Sequence, residues 1–152
     1  MQRPHPPILV GGASKRILSI AAQQASIVSV TARILPDGSR LDVTDTTPMA
    51  TKQKVAWVQQ AAGERFAQLE LNILIFAVMV TQDRTKGAEE LAARFKTTTE
   101  QVLQIPHCLV GTPEQICEDV QERRARYGIS YIAIFEENME AFAPVVARLA
   151  GK

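Results

Sequence analysis

The chain has 152 residues, which is enough for a sizeable core, and we expect a single domain over residues 1–152. Charged residues make up 22% and the formal net charge is +1, so there is no electrostatic case for a nucleic-acid or membrane-surface partner. No apolar run reaches the ~18 residues that a membrane span needs. The chain has two cysteines, Cys108 and Cys117, which is too few for a disulfide framework. Its two histidines, His5 and His107, lie too far apart in the sequence for a common metal-binding motif. The expectation is a cytoplasmic protein with reduced thiols and no metal site.

The first third of the chain reads as two strands separated by a helix. Residues 1–7 are proline-rich and do not resemble a signal peptide. The apolar run of residues 8–10 ends at glycine and suits a buried strand. Residues 26–31 are rich in β-branched side chains and also suit a strand. Between them, Ser14 is placed to cap a helix. Its apolar stripe consists of Ile17, Leu18, Ala21 and Ala22.

The middle of the chain contains a long loop, a helix and a third strand. Residues 34–47 hold a Pro-Asp-Gly turn and predict a loop, and long loops in compact domains tend to be functional or mobile. Pro48 begins a helix that Gly63 ends. The apolar run of residues 71–80 predicts a strand longer than the others. Helices are then predicted over about residues 83–95 and 99–104.

The carboxyl-terminal third predicts a helix, a strand and a last helix. Thr112 and Pro113 form a strong helix start with Gln115 completing a capping box, and this helix ends at Gly128. Its predicted outer face carries residues at ion-pair spacing: Glu118, Glu122, Arg123 and Arg126. Residues 129–135 predict the fourth strand, and a helix over about 138–149 follows.

This alternation of strands and helices predicts a parallel sheet with crossover helices. Four βα units make up half of a (β/α)₈ barrel. They also fit a small open doubly wound sheet, and periodicity alone does not separate these two architectures.

The most informative local feature is the turn from the first strand into the first helix. Here Gly11 and Gly12 precede Ala13 and the capping Ser14. Glycines let a backbone approach a phosphate closely, and the free N–H groups of a first helical turn attract anions. Lys15 or Arg16 would add a charge-assisted contact. The alternative is a glycine turn needed only for tight packing, because the pattern is neither a dinucleotide fingerprint nor a Walker loop.

Other polar residues lie at or near strand ends. Asn72 is more often a satisfied buried amide than a ligand contact, and the paired Glu136 and Glu137 are more often a solvated helix start. Ser29 and Thr31 end the second strand. No arrangement typical of a nucleophilic triad is visible, so no catalytic acid or base is assigned.

Three segments carry a resemblance to a known family. They are residues 6–12, the strand that begins at residue 25, and the run from Val110 through the Gly-Thr-Pro-Glu helix start to Tyr131. Together they resemble the luciferase-like monooxygenase superfamily, closest to its actinobacterial deazaflavin-dependent oxidoreductases. The resemblance covers residues 6–151.

The resemblance implies that the chain is the carboxyl-terminal half of a TIM-type (β/α)₈ barrel, with four parallel βα units that match strands five to eight. It implies an oxidoreductase using coenzyme F420, or alternatively FMN, on an unknown small-molecule substrate. In the family, the loop after the fifth strand binds the cofactor phosphate. That role falls here on Gly11, Gly12, Ala13 and Ser14. The chain departs from the family at Ala13-Ser14, where relatives have more glycine, and at Ser26, where they have aspartate.

A half-barrel has two free sheet edges and an open inner face, which are association sites. The expected partner is therefore a second copy of the chain or a complementing amino-terminal half. Two alternatives to the enzyme stay open. One is a non-catalytic remnant that binds only the cofactor phosphate or associates with a partner. The other is a small open α/β phosphate-binding domain.

Overall fold

The computed structural model describes residues 5–38 and 41–150. Residues 1–4 of the proline-rich segment, residues 39 and 40 of the predicted loop, and Gly151 at the end of the resemblance lie outside the described residues. The strands are β1 (Leu9–Gly12), β2 (Ile27–Val30), β3 (Glu70–Leu74), β4 (Ala77–Val80), β5 (Cys108–Gly111) and β6 (Ile129–Ala133). The helices are α1 (Lys15–Gln24), α2 (Pro48–Ala62), α3 (Arg84–Phe95), α4 (Thr99–Gln104), α5 (Pro113–Tyr127) and α6 (Met139–Leu149).

The four predicted strand segments form one parallel sheet in the order β1-β2-β3-β6. The prediction of a parallel α/β fold is therefore confirmed. Gly11 stands beside Ser29, Ser29 beside Asn72, and Asn72 beside Tyr131. A bulge between Leu71 and Asn72 sets this last register. All four strands point the same way, so the loops that follow them meet at one edge of the sheet.

The predicted third strand is wrong in one respect, because residues 71–80 form two strands instead of one. After β3 the backbone N–H of Ile75 still donates to Ala133 O at 2.8 Å, but that of Phe76 donates to His107 O at 2.8 Å. The chain thus leaves β6 and pairs with β5, a strand that the sequence did not reveal. The fourth strand also ends at Ala133, two residues earlier than predicted.

The segment from β4 to β5 is an excursion beyond the carboxyl end of β3, with a small core of its own. The buried residues of this small core come from β4, β5, α3, α4 and the residue after α4. The main core lies between the four-stranded sheet and its helices, and it also takes Leu109 from β5. Gly87 lets α3 lie directly on the strand pair, because a Cβ there would stand 3.0 Å from Val110 Cγ1 and 2.9 Å from Thr81 Cγ2. The excursion therefore interrupts the third βα unit, and α5 resumes it.

The helix signals of α5 are confirmed. Thr112 and Gln115 form the capping box, and Gly128 ends the helix in the left-handed conformation. The Glu122–Arg126 ion pair is present at 3.5 Å. Arg123, however, was predicted on the outer face and is 6% exposed. Its Nη2 donates to Cys108 O at 2.7 Å, which fastens α5 to β5.

None of the described helices is both long and apolar enough to cross a membrane. Cys108 and Cys117 are both buried, and neither forms a disulfide bond.

Candidate functional site

The site is built from the turn between β1 and α1. Ser14 caps the helix by accepting a hydrogen bond from Ile17 N–H at 3.3 Å, as predicted. The helix begins with Lys15 and Arg16, both exposed, and no acidic residue stands in its first turn. Two positive charges at the positive end of a helix dipole are unfavourable unless an anion lies nearby. The turn is thus electrostatically suited to an anion.

The two glycines of the turn face opposite sides of the sheet, as successive strand residues do. A Cβ on Gly12 would collide with the Ile17 side chain, with Ile17 Cβ only 3.0 Å away. Gly12 is therefore needed for the close packing of α1, which is the structural alternative raised by the sequence. A Cβ on Gly11 would stand 3.4 Å from Ser29 Cβ, an ordinary contact. Gly11 thus shares with Ser29 the face that α1 does not cover.

A chain of hydrogen-bonded polar groups crosses that face. Ser29 Oγ donates to Asn72 Oδ1 at 2.6 Å, and Asn72 Nδ2 donates to Tyr131 O at 3.2 Å. Ser29 is 7% and Asn72 2% exposed, so both are buried polar groups with partners. This agrees with the interpretation of Asn72 as a satisfied buried amide. The inner face is the face of the sheet that α1 does not cover. A row of neighbouring strand residues forms a polar stripe on it next to the glycine turn: Gly11, Ser29, Asn72 and Tyr131.

Thr31, another residue noted in the sequence, connects the turn to a buried ion pair. Its N–H donates to Gly12 O at 3.1 Å, and its carbonyl accepts from Lys54 Nζ at 2.9 Å. The same Nζ lies 2.7 Å from Asp45 Oδ2 and 2.8 Å from Asp45 O. Lys54 is 1% exposed. Burial lowers the pKa of its ammonium, while the hydrogen bond with Asp45 opposes that shift.

The same aspartate ties down the long loop after β2. Asp45 Oδ2 accepts from Arg33 N–H at 2.8 Å, and Arg33 Nη2 pairs with Asp42 Oδ2 at 3.2 Å. Residues 43–46 form a short 3₁₀ helix. The sequence predicted a loop here and missed the ion pair, because a lysine and an aspartate nine residues apart carry no signal of burial.

His107 joins the excursion to the sheet. It is fully buried, its ring stacks on Phe76 at 4.7 Å between centroids, and its Nδ1 lies 2.9 Å from Leu74 O. A carbonyl only accepts, so Nδ1 carries the proton and Nε2 is a bare acceptor without a partner among the described residues. Burial lowers the pKa of His107 to about 4. The ring is neutral at ordinary pH and has a structural role.

The structure does not bring the acidic pair into this arrangement. Glu136 and Glu137 are exposed in a 3₁₀ turn after β6, which is separated from β1 by β2 and β3. Among the described residues, no group of three or more side chains is arranged to hold a metal ion.

Two cavities lie away from the glycine turn. The larger, about 920 Å³, is a groove whose walls come from α2, α5 and the end of α4. The smaller, about 390 Å³, lies between the long loop and the excursion and is mostly apolar. Its wall includes Leu41, Val43, Phe76, Arg94 and Phe95. Phe76 follows the carboxyl end of β3. The smaller cavity therefore lies at the carboxyl edge of the sheet, which is also the edge where the glycine turn lies.

No family model and no curated protein matches the chain. Solved structures do match it. A monooxygenase from Streptomyces bottropensis is 21% identical, with a TM-score of 0.62, 97% of this chain covered and 48% of that one. An F420-dependent secondary alcohol dehydrogenase in complex with an F420-acetone adduct is 12% identical, with a TM-score of 0.61 and coverages of 87% and 43%.

A riboflavin lyase with modified FMN and riboflavin matches at 12% identity, with a TM-score of 0.58 and coverages of 94% and 43%. The chain has the luciferase-like fold. It spans about half the length of these structures.

Proposed function

We propose that the chain is an oxidoreductase of the luciferase-like type that uses F420 or FMN. The observation that carries the proposal is the glycine turn at the carboxyl edge of a parallel sheet with this fold. A flavin or deazaflavin supplies hydride chemistry when bound, and the protein positions it. The first choice of cofactor is F420, with FMN as the alternative, and the compartment is the cytoplasm.

In this proposal the four-stranded sheet is the half of a (β/α)₈ barrel that holds strands five to eight. Its order β1-β2-β3-β6 follows the chain, with a helix after each strand and the excursion inserted in the third unit. Barrel enzymes have their active sites at the carboxyl ends of the strands, where the glycine turn lies.

The cofactor phosphate would be held by Gly11, Gly12, Ala13 and Ser14. The first N–H groups of a helix have no intrahelical partner, and Ser14 Oγ satisfies only that of Ile17 here. Lys15 and Arg16 supply positive charge beside these amides. The polar stripe through Ser29 and Asn72 lies on the same face as Gly11, where a ring system attached to the phosphate would extend.

The direct test compares FMN with riboflavin, which lacks the phosphate. Fluorescence titration of the purified chain should give tighter binding for FMN. Replacing both Lys15 and Arg16 with alanine should shrink the FMN-to-riboflavin ratio by roughly tenfold, as expected for two charge-assisted contacts. Lys86→Ala, which removes an exposed lysine from the first turn of α3, is the matched control and should leave the ratio unchanged. F420 is titrated in parallel.

Gly12 needs a design that separates its two roles. Gly12→Ala alone would collide with Ile17, so a loss of binding would be ambiguous. In an Ile17→Gly background both the Cγ2 and the Cβ of residue 17 are absent, so the collision is removed. A further loss on adding Gly12→Ala then reports close backbone approach by the phosphate. Equal binding of FMN and riboflavin to every variant would contradict the phosphate site. Absence of any flavin or F420 binding would favour the non-catalytic half-barrel.

A further inference from the structure

We propose that a second copy of this chain closes the sheet into an eight-stranded barrel. The sheet ends at β1 on one side and at β6 on the other, and neither has a second neighbouring strand among the described residues. An open edge of backbone donors and acceptors is a template for pairing. All four strands are parallel. Strand β6 of one copy can therefore pair side by side with β1 of the other copy, with both strands running in the same direction.

The exposed apolar surface is concentrated at these two edges. Among the described residues, ten large apolar side chains are exposed, and eight of them belong to the two edge units. Ile34 and Met49 are the two exceptions. On the β1 edge they are Ile8, Leu9, Ile17 and Ile20, and on the β6 edge they are Tyr131, Phe135, Met139 and Val146. Scattered single residues would need no explanation, but two clusters at the two ends of one sheet do.

Helix α6 shows most clearly that one of its faces is uncovered. Its only charged residues are Glu140 and Arg148, although only Phe142 and Val145 are buried. A second stripe of Met139, Ala143 and Val146 follows helical spacing and is exposed. A helix that is apolar on two faces is typical of one packed between two neighbours, and the described part of the chain supplies only one of them.

The charges of the two edges are complementary. Helix α1 begins with exposed Lys15 and Arg16. The segment leading into α6 carries exposed Glu136 and Glu137, and the first turn of α6 carries exposed Glu140. None of the five forms an ion pair among the described residues. Parallel closure places α6 of one copy beside α1 of the other with both helix starts at the same end. The acidic and basic groups then face each other, which favours a second copy over an unrelated partner.

A two-fold axis generates the same β6-to-β1 contact twice, and no edge is left. Eight strands is the number at which a barrel interior is filled by side chains. Each edge face is roughly 16 Å long, the length of α6, and about 20 Å deep, the depth of a strand layer and a helix layer. Two such faces approach the roughly 800 Å² per partner of a stable interface. The second copy also completes the ring of loops around the glycine turn. The two sheet edges call for this partner whether or not a cofactor binds, although Lys15 and Arg16 belong both to this contact and to the proposed phosphate site.

The first experiment measures mass in solution without cofactor. Analytical ultracentrifugation of the full chain at micromolar concentration should give about 33 kDa, twice the 16.7 kDa of one chain. Val146→Glu and Ile20→Lys should each halve the mass, because each places a charge in both copies of the contact. Both residues are exposed, so the variants should keep their circular dichroism. Met49→Glu, at an exposed apolar residue away from the edges, is the matched control and should stay dimeric.

Mixing the two monomeric variants tests the edge-to-edge geometry. In a mixed dimer one contact is unchanged and the other pairs the introduced carboxylate of one variant with the introduced ammonium of the other, so the mixture should regain the mass of a dimer. An interface in which α1 meets α1 would not be rescued in this way. A monomeric wild-type chain with a sharp melt, or a dimer that survives both variants, would overturn the proposal. So would rescue of a monomer only by a separate half-barrel chain. Flavin binding decides none of these outcomes, so the two proposals fail separately.

Discussion

The ammonium of Lys54 and the carboxylate of Asp45 form a largely buried ion pair of 2.7 Å behind the glycine turn. The same Nζ also donates to the carbonyl of Thr31, whose own N–H donates to Gly12 O. One buried side chain therefore fixes the long loop and the second strand in position, and through them supports the backbone of the candidate phosphate site.

Asp45→Asn should lower the free energy of unfolding by about 3–5 kcal/mol, because it leaves a buried ammonium without its counter-charge. The double variant Asp45→Asn/Lys54→Met should recover part of this loss, since it removes the stranded charge. Urea unfolding at pH 7 measures both. Glu122→Gln breaks an exposed pair and serves as the control, with little change expected. A small effect of Asp45→Asn would mean that water reaches the pair.

His107 should make the chain less stable in mild acid. The pKa of its imidazole is about 4 in the folded state and 6.5 at its ordinary value, so the unfolded chain binds the proton more readily between these limits. Stability from this group is present above pH 6.5 and is lost as the pH falls toward 4, by up to about 3 kcal/mol. Unfolding free energies measured at half-unit pH steps should show this slope.

His107→Asn is the control for that slope. An asparagine amide can still donate to Leu74 O but does not titrate, so the variant should be less stable at pH 7 and should lose this part of the pH dependence. An unchanged slope in the variant would assign the acid sensitivity to carboxylates instead.

The cysteines should be inert in the folded chain. Burial raises the pKa of the Cys108 thiol to about 12, and only a thiolate reacts readily. A chromogenic disulfide reagent at pH 8 should therefore label the protein only as fast as it unfolds, and urea should accelerate labelling in parallel with unfolding. Cys117→Ser isolates Cys108. Rapid labelling of this variant under native conditions would show that β5 opens independently.

Ser29 and Asn72 should behave as a coupled pair. Asn72→Leu removes the acceptor of the Ser29 hydroxyl and should cost about 1–3 kcal/mol, because a buried donor loses its partner. Ser29→Ala in the same chain should cost little more, since no unsatisfied hydroxyl is left. A double-mutant cycle by urea unfolding should give a coupling of at least about 0.5 kcal/mol. Strict additivity would show that the 2.6 Å contact contributes no stability.

The sequence was most informative where the controlling contacts are local. The start of α5 depends on Thr112, Pro113 and Gln115, which lie within four residues, and the predicted capping box is present. The second strand, predicted over residues 26–31 and observed over 27–30, and the helix cap at Ser14 were found for the same reason. Each signal needs only the chain on either side of it.

The features that the sequence missed depend on distant partners. Residues 71–80 are apolar almost throughout, so nothing in them indicates that the backbone changes neighbours at Ile75 and Phe76. Strand β5 is four residues long, and within the described ranges it pairs only with β4. Arg123 is buried because its guanidinium donates a hydrogen bond to the backbone carbonyl of Cys108. The position of a backbone carbonyl cannot be deduced from the sequence. The open edges, by contrast, were expected from the count of four βα units.

The separate core of the excursion has a consequence for how such a chain can change. Most of the buried apolar side chains of residues 77–111 form a core of their own. The segment joins the rest of the chain through Leu109, Val78 and Val80, which pack in or against the main core. It is also attached by the Arg84–Asp119 ion pair and by the hydrogen bond of Arg123 with Cys108 O. A different sequence can therefore be exchanged between these attachment points without moving the alignment of the four-stranded sheet. Variation in the sequence of the excursion can change the surroundings of the candidate site while the four-stranded sheet keeps its shape.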